Sequence, residues 1–280
     1  MCRTNAPTSH FRPSSSVNSR RPQLTVLIPC KDERLNIRAC VESVRPIADE
    51  ILVADSGSTD DTLLIVRQIG GCRLIEREFV SYSSFKNWAI ARATHPWVLI
   101  VDADERVTEA LCAEIRGVLA GPPSLDAYRL PREPYFLGRR IKYSGWNTAA
   151  PVRLFRRDVC QYNNHRVHES IEVATGKVGK LRGKLLHFTC QCLTAYLANV
   201  NRYTTWSAED MYEAGRRARP LDFLVRPPFR FLQDYVVRGG FLDGGPGLAV
   251  SMISAYYVFL KYLKLWAMST TLTTGRDLIG

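Results

Sequence analysis

Three short apolar runs, each ending in a cluster of acidic and hydroxyl side chains, constrain this chain more than any other feature. Leu24-Thr25-Val26-Leu27-Ile28 runs into Pro29-Cys30-Lys31-Asp32-Glu33, Ile51-Leu52-Val53-Ala54 into Asp55-Ser56-Gly57-Ser58, and Trp97 to Val101 into Asp102-Ala103-Asp104-Glu105. Uninterrupted β-branched and aliphatic runs of this length are the pattern of strands buried on both faces. Between them the spacing predicts helices from Leu35 to Val44, after Thr59-Asp60-Asp61-Thr62, and from Ser83 to Ala93, with a further strand at Arg73 to Glu76. Strand and helix alternating in this way imply an α/β fold, a mostly parallel sheet with helices on both faces. In such sheets ligands collect beyond the carboxyl ends of the strands. The three acidic clusters therefore belong to one rim, and acids gathered there need cations or hydroxyl groups to satisfy them.

Past Asp126 the pattern shifts to short strands, Ala127 to Leu130 and Val152 to Phe155, joined by a stretch rich in Tyr, Trp, Gly and Arg that is expected to shape a second pocket. From Leu193 it shifts again, to helical segments at Leu193 to Arg217, Leu221 to Arg238 and Leu248 to Met268. The run Gly239 to Gly247 between the last two is too rich in glycine for a helix. Residues 1–22, polar and without an apolar run, are expected to form a disordered leader. This divides the chain into the leader, a catalytic-type α/β unit over 23–192 and a helical extension over 193–280.

The stretch Gly244 to Leu260 is uncharged but short of the ~20 residues of a spanning helix. With Arg226 and Arg230 before it and Tyr256, Tyr257, Lys261, Tyr262, Lys264 and Trp266 at its end, it suits a helix lying on an anionic membrane surface. An ordinary helix packed on the core or on a second subunit fits the same pattern. A net charge of +11 favours anionic partners, yet the basic residues are dispersed and match no finger, homeodomain or RNP pattern, which argues against nucleic acid. The cysteines fall singly in apolar surroundings and are expected to be reduced thiols of a cytosolic protein; Cys190 and Cys192, two apart, leave a ligand pair open.

Asp102 and Asp104, one residue apart at the end of a buried strand, suit a hard divalent cation, Mg2+ or Mn2+, bridging the phosphates of a nucleotide. Asp55 is placed to accept hydrogen bonds from a ribose or a base, although it could instead cap the next helix. Glu33 either holds the nucleoside or starts the helix through its charge. Trp146, beside Tyr143 and Asn147, offers a flat face for a sugar ring or fills a core. Arg153, Arg156 and Arg157 either meet phosphates or are solvated.

These motifs, in this order and spacing, resemble glycosyltransferase family 2. The resemblance covers roughly Leu24 to Tyr203. It is closest to bacterial lipopolysaccharide core β-1,4-glucosyltransferases, through Ser84-Phe85-Lys86-Asn87-Trp88, Arg153-Leu154-Phe155-Arg156-Arg157, Val167-His168-Glu169, Leu186-His187-Phe188 and Asn201-Arg202-Tyr203. It implies a GT-A (Rossmann-like) fold, a UDP-sugar donor and inversion at the anomeric carbon, with a lipid-linked glycan as acceptor. Pro29, Glu33, Asp55, Lys86, Asp102 and Asp104 then fall on the nucleotide-sugar side. Trp146, Arg153, Arg156 and His168 fall on the acceptor side, and Asp102, Asp104 and His187 on the metal. His187 has a second reading as a hydrogen-bonded core histidine. Inversion needs a base opposite the leaving diphosphate, and Glu169 is the candidate, its alternative being an ion pair with Arg153, Arg156 or Arg166.

Overall fold

The computed structural model of the chain describes residues 21–121, 123–163 and 170–271. Glu169 and His168 lie outside the described residues. The first four strands are β1 (Leu24–Cys30), β2 (Glu50–Asp55), β3 (Arg73–Glu76) and β4 (Trp97–Ile100), separated by the helices α1 (Ile37–Val44), α2 (Thr62–Ile69) and α3 (Tyr82–Ile90). β1 pairs in parallel with both β2 and β4, and β2 with β3. Successive side chains of β1 face opposite layers, and both layers are apolar. Val26 and Ile28 pack with Val41 and Val44 of α1. Leu27 packs with Phe85 and Ala89 of α3. That two-sided burial is why the strands read as continuous apolar runs.

The order reverses beyond β4. Next come β5 (Glu105–Val107), α4 (Glu109–Val118), β6 (Ala127–Arg129), β7 (Arg132–Phe136), β8 (Arg139–Arg140), β9 (Val152–Arg156), β10 (Cys160–Tyr162), β11 (Ile171–Val173), β12 (Val178–Lys180) and β13 (Leu185–Cys190). β9 runs antiparallel between β4 and β6, and completes a seven-stranded sheet in the order β12-β6-β9-β4-β1-β2-β3. A second sheet of four strands, β5-β13-β7-β8, stands at the carboxyl end of β4, because β5 follows that strand after a turn of only four residues. The fold is thus a mostly parallel α/β sheet with helices on both faces.

The remaining helices are α5 (Leu193–Glu213), α6 (Pro220–Leu232) and α7 (Gly244–Thr271). They dock on the smaller sheet, where Phe136 of β7 and Cys190 of β13 meet Tyr196 of α5 and Val250 of α7. Cys190 is buried at the end of β13 while Cys192 is exposed at the start of α5, so the two do not form a ligand pair.

The glycine run is a second correction. Gly240–Asp243 forms a 3-10 turn and α7 already starts at Gly244. Pro246 sits in the first turn, where its missing N–H has no intrahelical partner to lose. A Cβ on Gly247 would collide with the Gly240 carbonyl, so the glycines allow close backbone approach here instead of breaking a helix. With 28 residues, α7 is longer than the uncharged stretch suggested and is long and apolar enough to cross a membrane, yet it lies along α5 and α6.

Candidate active site

Asp102 and Asp104 stand at the carboxyl end of β4, on the turn that leads into β5. That turn is closed from both sides: Glu105 N–H donates to the Asp102 carbonyl at 2.8 Å, and Asp102 N–H donates to Glu105 Oε2 at 3.0 Å. The two aspartates have different surroundings. Asp102 is gripped by the Arg153 guanidinium, by Arg132 Nη2 at 2.9 Å and by Lys86 Nζ at 3.9 Å. Burial works against its charge, but Arg153 and Lys86 hold it well below the usual carboxylate range. Asp104 instead faces His187, whose Nε2 lies 3.1 Å from Asp104 Oδ2.

Strand register makes the second contact. β13 pairs antiparallel with β5 so that His187 lies opposite Glu105, and the next backbone N–H, of Phe188, donates to the Asp104 carbonyl at 2.9 Å. A histidine 83 residues downstream is thereby fixed beside Asp104. Burial opposes a charged ring, yet the Asp104 carboxylate outweighs it and raises the His187 pKa to about 9.

Glu33, on the loop after β1, joins the same rim. Burial and then the nearby Asp104 charge lift its carboxyl to about 7, while Asn36 Nδ2 donates to its Oε2 at 2.9 Å. Glu105, wholly buried, belongs to the third acidic cluster but was given no role of its own by the sequence. Arg132 Nε lies 2.6 Å from its Oε1, and burial pushes it up to about 7 against the pull of Arg153. Arg132, from β7, was also unforeseen; it sits on an ordinary-looking strand and gains its place only through pairing with β13.

Other expected residues land differently. Lys86, on α3, is buried with Tyr162 5.1 Å and Tyr82 5.8 Å from its ammonium, and it reaches the site. Pro29 is half-buried near the end of β1, beside Ala54 of β2. Asp55 is buried, and its carboxylate accepts from Gly57 N–H and Ser58 N–H, both at 2.8 Å, so the turn after β2 occupies both lobes of one oxygen. Arg153 is not an exposed phosphate contact: only 3% of it is exposed, and it serves the carboxylates of Asp102 and Glu105. Arg156 lies opposite Trp97 at the other end of β4, about 10 Å along the strand from Arg153, and pairs with Asp126 and Asp158. That position takes it away from the rim and corrects its assignment to the acceptor.

A cavity of about 690 Å3 opens from this rim between the smaller sheet and the helical layer. Arg132 and His187 line its inner end, with Trp146 and Tyr196 beyond. Trp146 packs edge-on to Phe136 and donates from Nε1 to Ser254 Oγ at 3.4 Å. It follows Gly145, whose φ of 83° favours glycine and whose missing side chain leaves room for the Arg238 guanidinium.

Mg2+ and Mn2+ need few protein ligands when phosphate oxygens supply the others. Among the described residues no three His, Cys, Asp or Glu side chains gather closely enough to hold an ion alone. The carboxylate and imidazole of Asp104 and His187 do converge. Such a two-donor set fits a cation completed by a diphosphate, and it does not fit a closed structural site.

The chain is similar to proteins that fit this picture. The lipopolysaccharide core biosynthesis glycosyltransferase LpsC of Rhizobium meliloti is 32% identical over 249 residues, covering 87% of this chain and 92% of that protein. The uncharacterized glycosyltransferase RT0209 of Rickettsia typhi is 27% identical, with 88% of each chain covered. Among solved structures, the mannosyltransferase PcManGT of Pyrobaculum calidifontis, in complex with GDP-Man and Mn2+, shares the fold with a TM-score of 0.51 at 16% identity, covering 92% of this chain and 89% of that one. The sequence profile described as Glycosyl transferase family 2 matches residues 25–202. With its strand-end carboxylates, GT-A sheet and matched span taken together, the chain belongs to glycosyl transferase family 2.

Proposed function

We propose that this glycosyltransferase moves a hexose, with glucose the first candidate, from a UDP-sugar to a lipopolysaccharide-core or other membrane-linked glycan, with inversion and with Mg2+ or Mn2+. The observation that carries the proposal is the pairing of Asp104 with His187 beside an arginine-held Asp102, at the mouth of a cavity large enough for sugars. LpsC, named for lipopolysaccharide core biosynthesis, supports the acceptor class, and the GDP-Man and Mn2+ of the mannosyltransferase complex support the donor class and the metal.

In this reading Asp104 and His187, the imidazole giving up its proton as it binds, would hold the cation, which would supply positive charge against that developing on the departing diphosphate. Asp102, fixed by Arg132 and Arg153, accepts hydrogen bonds from the sugar-nucleotide without paying reorganisation at each turnover. Lys86 adds positive charge on the same side. Trp146 presents its ring to the acceptor. Glu169, assigned from sequence, removes the proton of the attacking hydroxyl, with His168 beside it.

We place the enzyme in the cytoplasm, at the inner face of the cytoplasmic membrane. Leu221, Leu224 and Phe229 of α6 are each 65% or more exposed, and Leu232, Val236 and Val237 continue that apolar surface. Six arginines against three aspartates between Ala214 and Asp243 leave it basic. An apolar stripe edged by arginine is complementary to an anionic lipid surface.

The test is UDP release from UDP-hexoses by the full-length protein. Turnover is expected with Mn2+ or Mg2+ and not with chelator; Asp104→Ala should lower it by about a hundredfold or more, the scale of a lost charge-stabilising group. Glu169→Gln should keep UDP binding and lose most transfer. Undiminished turnover in chelator would remove the metal from the scheme, and normal transfer by Glu169→Gln would move the base elsewhere.

A further inference from the structure

The cavity that begins at His187 does not end at Trp146. It continues along α5 and α7, whose lining residues recur at helical spacing: Tyr196, Val200, Ser207 and Met211 on one, Ser254, Tyr257, Val258 and Lys261 on the other. Ser207 and Tyr257 hydrogen-bond across it at 2.8 Å. From Ser254, which holds Trp146, to Lys261 the cavity follows α7 for about 10 Å. At that far end the lining changes character, for Arg216, Arg230 and Lys261 all face it.

These cations are poorly neutralised. Arg230 shares Asp234 with Arg238, at 2.7 and 2.8 Å, so one buried carboxylate answers two guanidiniums. Lys261 rests between aromatic faces, 5.2 Å from the Tyr262 ring and 5.9 Å from that of Tyr257, and no carboxylate pairs with it among the described residues. Burial, and then the like charges of Arg216, Arg226 and Arg230, lower its pKa. Asp210 is the acid that lines this stretch. Arg230 and Lys261 are half-withdrawn from water and exposed Arg216 converges on them, an arrangement that is costly to hold together unless an anion joins it.

We propose that Arg216, Arg230 and Lys261 form an anion subsite that takes a phosphate-bearing group of the acceptor, about 10 Å beyond the sugar that meets Trp146. This rests on the glycosyltransferase reading for the word acceptor; the anion preference itself rests on the cavity alone. A dianionic phosphate matches a three-cation cluster with both charge and oxygen count, and arginine and lysine are its usual ligands. The phosphate belongs either to a sugar of the glycan or to a lipid headgroup.

Calorimetric titration of the full-length protein decides it. The probes are mannose 6-phosphate, mannose, and vesicles of phosphatidylcholine with or without phosphatidylglycerol. Mannose 6-phosphate should bind at least tenfold more tightly than mannose. Lys261→Met and Arg216→Gln should each cost about tenfold, and Lys261→Arg should stay within about threefold of the parent; a loss of 1.4 kcal/mol corresponds to tenfold. If the dependence on Lys261 appears only with phosphatidylglycerol vesicles, the phosphate is that of a lipid. Should Lys261→Met and Arg216→Gln, with unchanged melting temperatures, bind both phosphate probes as the parent does, or should the parent bind neither, the subsite is refuted. Binding of UDP with Mn2+ by the parent protein, measured alongside, judges the donor reading separately: its failure contradicts that reading while the phosphate titrations still decide the subsite.

Discussion

Arg153 shows how much the site depends on single side chains. It is buried, it grips Asp102, and its Nη2 lies 3.5 Å from Glu105, so its removal leaves two acids with Arg132 as their remaining guanidinium partner. Breaking a buried pair from one side costs far more than the pair contributes, because a charge is left without compensation. Arg153→Met should therefore lower stability by about 3 kcal/mol in urea unfolding. A loss below about 0.5 kcal/mol would mean that Asp102 and Glu105 are solvated in the folded state. What the sequence reveals of the site follows the same lines. Asp102, Asp104 and Lys86 are legible because a strand end or a helix near the rim places them directly. Arg132 and the arginine partners of Glu105 are not, since they come from strands far apart in the chain, β7 and β9. Arg153 and Arg156 look alike in a basic run, yet three residues of strand put them at opposite ends of β9.

At the scale of elements, Glu50 ties three strands together at the amino-terminal edge of the sheet. Its carboxylate accepts from Thr25 of β1, from Thr94 before β4 and from Arg73 of β3. Burial would raise its pKa, but those hydrogen bonds prevail and bring it from 4.5 to about 2. A depressed carboxylate gives stability that is present above its unfolded pKa and is lost as pH falls towards the folded one. The parent protein should thus lose stability between pH 4.5 and 2 more steeply than Glu50→Gln does, in unfolding followed by circular dichroism across that window. Parallel slopes would show the carboxylate to be idle. The central strands β1, β2 and β4 were legible from their apolar runs, because a strand apolar on both faces has one place to go, while β3, an edge strand exposed at Arg73 and Glu76, spans the residues its sequence suggested. The reversal at β9 was not, since nothing in Val152 to Arg156 encodes strand direction. Nor was the start of α7, where glycines serve a close approach to Gly240 and only resemble a break.

For the molecule as a whole, the helical layer forms one wall of the cavity and carries an exposed apolar, arginine-edged surface. Both features fit the proposed membrane-linked acceptor. Leu224→Glu should weaken co-sedimentation with phosphatidylglycerol vesicles by about tenfold, given ~1.5–3 kcal/mol for a buried leucine, and leave the melting temperature in place because this side chain is already exposed. Equal binding by parent and Leu224→Glu would show that α6 is not the lipid-facing element.

The strand-end chemistry is tested most directly by Mn2+ uptake, followed by electron paramagnetic resonance in the full-length protein with and without UDP. Uptake should be weak for the protein alone, tighten when UDP supplies the missing oxygens, and vanish with Asp104→Asn. Equal Mn2+ affinity in the parent and in Asp104→Asn, with UDP present, would contradict the assignment of the cation to Asp104 and His187.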